Sequence, residues 1–306
     1  MGTPILTVWD STTGKELFRK LVRKVFDSTD REALIESEKL YNMRTSDKLF
    51  ERDIRFAGLP SGAYMVEGGK IPLYAPKIGE TIDYNQKEYG MGFRVSWMMR
   101  KTNKFDLVQK WTKSLRRKLD ETKDIELAKL FNSPTATYTG FDGLHLGEAS
   151  HTCLDDAAST YDNLLSGDLN LTTLQAAELY FDTLKDDQGA VFFVNTKGLV
   201  LYFHPALKVR ITEIQRSTGK WGEISNTMNF WEGRFTQHVY RRLTSTTAWG
   251  LAAKGDDRYD INCYTLAEPH LIDKDASDNS LDQIVLGHQA FSFGFGDPRL
   301  IVIGNT

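Results

Sequence analysis

"VEGGKIPLYAPKIGETIDYNQKEYGMGFRVSWMMRKTNKFDLVQKW", residues 66–111, changes character midway, and that change decides the fold. Its first half is rich in turn formers, with Gly68-Gly69, Pro72, Pro76 and Gly79. Such residues break helices and favour reversals of an extended chain. From Glu88 the pattern alternates: Tyr89, Met91, Phe93, Val95 and Trp97 fall on one face, and Glu88, Gly90, Gly92, Arg94 and Ser96 on the other. Side chains alternate across a strand, so this reads as the return strand of a β-hairpin arm with one face to bury. About a dozen residues each way at ~3.3 Å per residue reach on the order of 40 Å, beyond the body of one subunit. Directly afterwards, Phe105, Val108, Trp111, Leu115 and Leu119 recur at steps of three and four across 101–131, with neither Pro nor Gly between them. That spacing predicts one long helix of on the order of 45 Å.

Upstream, Leu17, Leu21 and Val25, then Leu34 and Leu40, have helical spacing interrupted by "DSTD" at 27–30, which predicts two short helices. Downstream, "LTTLQAAELYFDTL" reads as a helix opened by a threonine cap, "GLVLYFHP" as an apolar strand stopped by Pro205, and "PALKVRITEIQRS" as a further helix. "AWGLAA", "YDINCYTL", "QIVLGHQAFSFGF" and "PRLIVIG" read as strands. Helices gather in the middle and strands elsewhere, so the class is α+β.

The chain has 306 residues, 41% hydrophobic and 26% charged, the composition of a folded protein with room for roughly two domains. A net charge of -3 argues against a surface that binds polyanions as a whole. The charged stretch "RRKLDETKD" (116–124) reads as a solvated helix face, because acids interleave with its bases. Cys153 and Cys263 form no paired motif, so two free thiols are expected. No signal-like start, long apolar run or myristoylation pattern is present, which predicts an unanchored chain made in the cytoplasm.

Chemistry is hard to find. "GFDGLHLGEASHTC" (140–153) brings together His145, Glu148, His151 and Cys153, but a zinc protease motif places its histidines four apart on a helix, and here they are six apart around Gly147. A surface loop with ordinarily bonded histidines is the simpler reading; a metal-dependent hydrolase using His145, Glu148 and His151 is the alternative. "FSFGFGDPR" has Arg299 where a dinucleotide loop needs a third glycine. "DKDASDN" supplies Asp273, Asp275 and Asp278 without the glycine and glutamate of a calcium hand. The pairs Asp155-Asp156, Asp186-Asp187 and Asp256-Asp257 are adjacent and diverge in extended chain. No catalytic, cofactor or metal site is expected.

The order of segments carries a resemblance. The 66–111 stretch resembles the extended loop and spine helix of tailed-phage major capsid proteins, the HK97-like fold. "GFDGLHLGEASHTC" looks like the segment opening the axial domain of Mu-like major head subunits. "LNLTTLQAAELYFDTLKDDQGAVFFVNTKGLVLYFHPAL", "SNTMNFWEGRFTQHVYRRLTSTTAWGL" and "FSFGFGDPRLIVIGN" are also similar, so the likeness covers about 240 residues. It implies an N-terminal arm (1–30), a peripheral domain with the spine helix (31–56, 98–135 and 255–296), an extended loop (57–97), and an axial domain (136–254 and 297–306). It also implies a structural shell protein, built from hexamers and pentamers around double-stranded DNA that is held without sequence specificity. Portal, scaffolding and decoration proteins are the further partners implied, the virion capsid its destination, and a membrane no part of it. An encapsulin-type compartment shell is the alternative within the fold. The residues expected to touch neighbouring subunits are Tyr64, Glu67, Lys70, Tyr74, Lys77, Tyr89, Met91, Phe93 and Arg94.

Overall fold

A computed structural model describes residues 12–29, 35–102, 104–154, 160–191, 193–195, 198–216, 230–275 and 282–304. In chain order the elements are α1 (Thr12–Asp27), β1 (Asn42–Thr45), β2 (Phe50–Phe56), β3 (Ile78–Asn85), β4 (Lys87–Val95), α2 (Trp97–Lys101) and α3 (Phe105–Asn132). Next come β5 (His151–Thr152), β6 (Thr160–Tyr161), β7 (Leu164–Leu165), α4 (Leu171–Thr183), β8 (Val200–Phe203) and α5 (Lys208–Arg216). The remaining strands are β9 (Thr236–Val239), β10 (Trp249–Ala252), β11 (Ile261–Asp275), β12 (Gln283–Phe295) and β13 (Ile301–Gly304).

The long helix is present as the 28 residues of α3, with Asp106 in its first turn and Lys129 in its last, the charge order that the helix dipole favours. Trp97–Lys101 is a separate short helix before it. Val108, Leu115 and Leu119 are buried in a cluster with Phe18, Val22, Phe26, Val95, Leu271 and Val285. The helix lies so close to β12 that a Cβ at Gly287 would stand 2.7 Å from Leu119 Cδ1, which is why glycine sits there. Leu115→Ala is expected to cost ~2–5 kcal/mol in chemical denaturation. A loss under ~1 kcal/mol would show that the stripe is not the packed face.

Two readings of this region change. In α1 the buried stripe is Phe18, Val22 and Phe26, while Leu17 is 47% exposed, so the helix is turned by one position from the expected face. The second helix does not extend through 37–45: a 3-10 turn (Ser37–Lys39) leads into β1, which pairs in parallel with β11. Leu40 is fully buried; Leu34 lies outside the described residues.

The expected solvated face at 116–124 is also corrected. Asp120, Lys123 and Asp124 are all buried. Asp120 accepts from Arg116 Nε at 3.1 Å. Lys123 Nζ donates to Thr265 Oγ1 at 3.0 Å and lies 5.7 Å over the Phe291 ring. Asp124 accepts from Ser37 N at 3.0 Å and Arg242 Nε at 3.3 Å. Asp120 is thus satisfied one turn away on its own helix, and Lys123 and Asp124 by residues distant in the chain; partners of this kind are the condition under which burial of a charge is tolerated.

A four-stranded sheet, order β1-β11-β12-β4, lies under α3; a five-stranded sheet, order β7-β13-β10-β8-β9, forms the second layer. In the latter, β13 is an interior strand, antiparallel to β10 and parallel to β7, and all four of its residues are buried. α4 is capped by Asn170 and not by a threonine. Asn170 Oδ1 accepts from Thr173 N and Thr173 Oγ1 accepts from Asn170 N, each at 2.9 Å, a reciprocal box. Asp273 and Asp275 lie among the last three residues of β11, paired with Val285 and Gln283; Asp278 lies outside the described residues. Both cysteines are buried free thiols, and burial pushes Cys263 up to about 11.

The hairpin is made by other strands than its sequence suggested. β2 pairs with β3, from Phe50↔Asn85 to Phe56↔Ile78, and the chain between them has neither helix nor strand. The alternating stretch is β4, which pairs with β12. Its apolar face is covered within the same chain: Phe93 meets Trp111 edge-on at 5.6 Å, Tyr89 stacks on Phe291 at 4.8 Å, and Val95 is fully buried.

Candidate functional site: an exposed arm and its root

Every residue from 58 to 78 is exposed. The segment is nevertheless rich in apolar side chains: Leu73 is 94% exposed, Tyr64 93%, and Leu59, Val66 and Ile71 are all open to solvent. A run of this kind on one subunit is the signature of a surface that another molecule covers. Among the described residues, the one backbone bond inside the segment is Gly69 N to Val66 O, 2.8 Å, at a turn where Gly68 has φ 78. Ordering such a chain costs ~1–2 kcal/mol per residue, which the isolated subunit does not recover.

The root, in contrast, is tightly held. Ala57 N donates to Lys77 O at 2.9 Å and closes the loop. Lys77 Nζ reaches Leu154 O at 2.7 Å, and Gln188 Nε2 reaches Gly58 O at 2.7 Å. Beneath them Arg55 donates to Thr152 O (2.7 Å) and to Asp187 Oδ1 (3.3 Å); Arg299 binds the same carboxylate oxygen, which also accepts from Leu154 N at 3.0 Å. Burial alone pushes the Asp187 carboxyl up, but Arg299, the Leu154 N–H and Arg55 outweigh it and hold it below the ordinary carboxylate range. Nothing in the sequence announced this cluster: Arg55, Asp187 and Arg299 lie far apart, with no spacing to connect them.

The stem has a second polar contact with the body. Tyr264 Oη donates to Asp53 Oδ2 at 2.9 Å, and the Tyr84 and Tyr264 rings lie 5.3 Å apart. Alongside, Asp260 accepts from Asn262 Nδ2 (2.6 Å) and Asp297 N (3.1 Å). Burial, reinforced by Asp53 and Asp297, lifts the Asp260 carboxyl to about 6. Its ordinary value in an unfolded chain is ~3.9. A folded value raised above the unfolded one means that the folded state binds the proton more tightly, so Asp260 destabilises the fold above pH ~6, and this is relieved as pH falls toward ~4. Asp260→Asn is therefore expected to raise stability at pH 7–8 and to remove this dependence between pH 6 and 4. Denaturation curves at several pH values check it, and an unchanged pH profile would refute the assignment.

Of the residues expected to meet neighbours, Tyr64, Glu67, Lys70, Tyr74 and Lys77 all lie on the exposed segment, Lys77 at its root. Tyr89 and Phe93 are engaged with α3 of their own chain, Tyr89 Oη also bonding Glu126 Oε2 at 3.2 Å. Met91 and Arg94 remain exposed on β4, beside an open groove of about 340 Å³ that Phe93 and Trp111 also line.

The histidine stretch does not converge. His145 Nδ1 is bonded to Tyr138 O at 3.1 Å. His151, in β5, is buried, stacked on Tyr161 at 5.0 Å, with Nδ1 2.7 Å from Asp142 Oδ2. Burial pushes the Asp142 carboxyl up, yet the His151 bond outweighs it and leaves it below its ordinary value. The backbone N of Glu148 donates to Asn163 Oδ1 at 3.1 Å. Among the described residues no group of three His, Cys, Asp or Glu is arranged to hold a metal ion, and no helix is long and apolar enough to cross a membrane.

Residues 79–303 match the family described as phage capsid protein. No curated protein matches the chain. Among solved structures it is similar to the capsid of the cyanophage P-SCSP1u, at 15% identity over 90% of this chain and 89% of that one, with a TM-score of 0.58. It is also similar to the procapsid of bacteriophage JBD30, at 10% identity over 100% of this chain and 76% of that one (TM-score 0.54), and to a structure from Mycobacterium phage Patience, at 8% identity over 99% and 88% (TM-score 0.54). At these identities the likeness is one of fold, the HK97-like α+β capsid architecture.

Proposed function

This chain belongs to the phage capsid protein family, and from that premise we propose that it is the major head subunit of a tailed phage, assembling through hexamers and pentamers into an icosahedral shell around double-stranded DNA. It is a structural component of the virion and not an enzyme. The observation that carries the proposal is the arm: an apolar segment exposed from residue 58 to 78 on a root fixed by buried charges. An apolar segment that its own chain leaves uncovered must be covered by a neighbour, and one such contact repeated about a rotation axis closes a ring. Tyr64, Glu67, Lys70, Tyr74 and Lys77 are the side chains we assign to that contact, with Met91 and Arg94, exposed on β4, as further candidates; Tyr89 and Phe93 are engaged within their own chain.

The division into domains expected from sequence is supported by the sheets. All five strands of the β7-β13-β10-β8-β9 sheet fall in the segments assigned to the axial domain. The four-stranded sheet with α3 falls in the peripheral domain, except that β4 comes from the stretch read as loop. Within the family we place the chain nearest the Mu-like head subunits, on the order of its segments. Portal, scaffolding and decoration proteins are the partners that such a head implies. Negative-stain microscopy of the expressed chain tests the reading. Closed particles of uniform size are expected, and a monodisperse monomer under all assembly conditions would refute it.

A further inference from the structure

The interleaving of acids with bases at 116–124 argues against a polyanion surface only if those acids face solvent, and two of the three do not. Asp120 and Asp124 are buried with Lys123, turned into the body. What remains outside is a groove of about 510 Å³ lined by Lys110, Lys113, Arg117, Lys118 and Arg242, with Glu121 as the one acid. Glu121 is already occupied: Lys118 Nζ binds its Oε2 at 2.5 Å and Arg242 Nη2 its Oε1 at 3.1 Å, and together they hold its carboxyl below the ordinary range. Lys110, Lys113 and Arg117 are exposed and make no ion pair among the described residues. The chain carries a net charge of -3, so this concentration of unpaired positive charge on one helix face is local and not a reflection of composition.

We propose that this groove contacts the phosphate backbone of the enclosed double-stranded DNA, which places this face of α3 on the interior of the shell. The partner's identity rests on the shell reading above; the demand for a polyanion rests on the charges alone. Positions 110, 113 and 117 lie along one face of the helix at steps of three and four, the spacing at which neighbouring side chains sit ~5–6 Å apart. Long, mobile lysine and arginine side chains at that interval follow a backbone with one charge per ~3.4 Å of axis on each strand. Contacts to phosphates carry no sequence information, so this contact is independent of sequence.

The test uses the full-length chain as unassembled subunits and a short DNA duplex of arbitrary sequence, with affinity measured across a range of salt concentrations. Each phosphate neutralised contributes ~0.9 to the slope of log affinity against log salt. The variant Lys110→Gln/Lys113→Gln/Arg117→Gln is expected to lower that slope by about 2–3 and to weaken binding more than tenfold near ~0.1 M salt. Lys129→Gln, whose lysine is bonded to Glu126 away from the groove, is expected to change neither. Circular dichroism confirms that the variants are folded. An equal slope and affinity in the wild type and the triple variant would overturn the proposal. So would binding of polyglutamate in preference to DNA, which would make the groove a site for an acidic protein segment. Microscopy of the wild-type chain separates the two readings: closed particles with an unchanged slope overturn the groove alone, whereas a reduced slope without particles keeps the groove and overturns the shell.

Discussion

Replacing residues 58–76 by a short Gly-Ser turn is expected to leave a folded subunit that no longer builds closed particles. The graft is feasible because Ala57 N and Lys77 O are already joined at 2.9 Å, so the two ends to be bridged are adjacent. It also spares Arg55, Lys77 and the carboxylate of Asp187, on which the root depends. What is removed makes little contact with its own chain, and exposed loops of that kind are where deletion is tolerated. What is lost is the apolar surface of Leu59, Tyr64, Val66, Ile71 and Leu73. At ~25 cal/mol per Å² of apolar area, five such side chains on every subunit contribute several kcal/mol to each neighbouring contact. Circular dichroism and size-exclusion chromatography check the fold, and negative stain checks assembly. Normal shells from the shortened chain, or failure to fold, would each show that the segment is not an intersubunit arm.

Asp187→Ala is expected to destabilise the subunit by ~3–5 kcal/mol, because it leaves two buried guanidinium groups without their shared counter-charge. The side chains of Arg55 and Arg299 are each 7% exposed. The sign of the pH dependence follows from the lowered pKa of Asp187. Its stabilisation is present above its unfolded value of ~3.9 and is lost as pH falls through the lower folded value. Asp257→Ala, at a side chain 98% exposed, is the control and is expected to stay within ~0.5 kcal/mol of wild type. A loss below ~1 kcal/mol for Asp187→Ala would show that the Asp187 carboxylate is not what satisfies the arginines, Asp297 lying 3.4 Å from Arg299 Nε.

The sequence revealed some of these features and concealed others, for identifiable reasons. α3 was readable because its stripe runs without interruption and no glycine or proline breaks it. In α1 both Leu17/Leu21/Val25 and Phe18/Val22/Phe26 have helical spacing, and the packing of the second stripe into the α3 cluster, with Phe18 6.2 Å from Phe105, decides between them. Alternation at 87–95 correctly marked a half-buried strand, but period alone does not say which molecule buries it, and here α3 does. The burial of Lys123 and Asp124 was invisible because their partners, Thr265, Ser37 and Arg242, lie 142, 87 and 118 positions away. The histidine stretch reads as a surface loop, but His151 is buried in β5 and held by Asp142, a contact that its spacing does not announce. Tyr64, Lys70 and Tyr74 fall in a stretch whose glycines and prolines mark it as irregular chain, and all three are exposed.

The place of β13 in its sheet has a consequence for how the protein is made. β10 stands between β13 and β8, but it leaves the ribosome about 50 residues before Ile301 does. At synthesis rates of ~5–20 residues per second, its second edge stays open for about 2–10 s. Until then β10 presents unpaired backbone groups of the kind that attract strand addition and misassembly. A nascent chain interrupted before residue 301 keeps that edge permanently, with Trp249, Leu251 and Ala252 left without the strand that completes their layer. A polypeptide released too early thereby carries an open strand edge in its five-stranded sheet, the kind of surface on which chains aggregate.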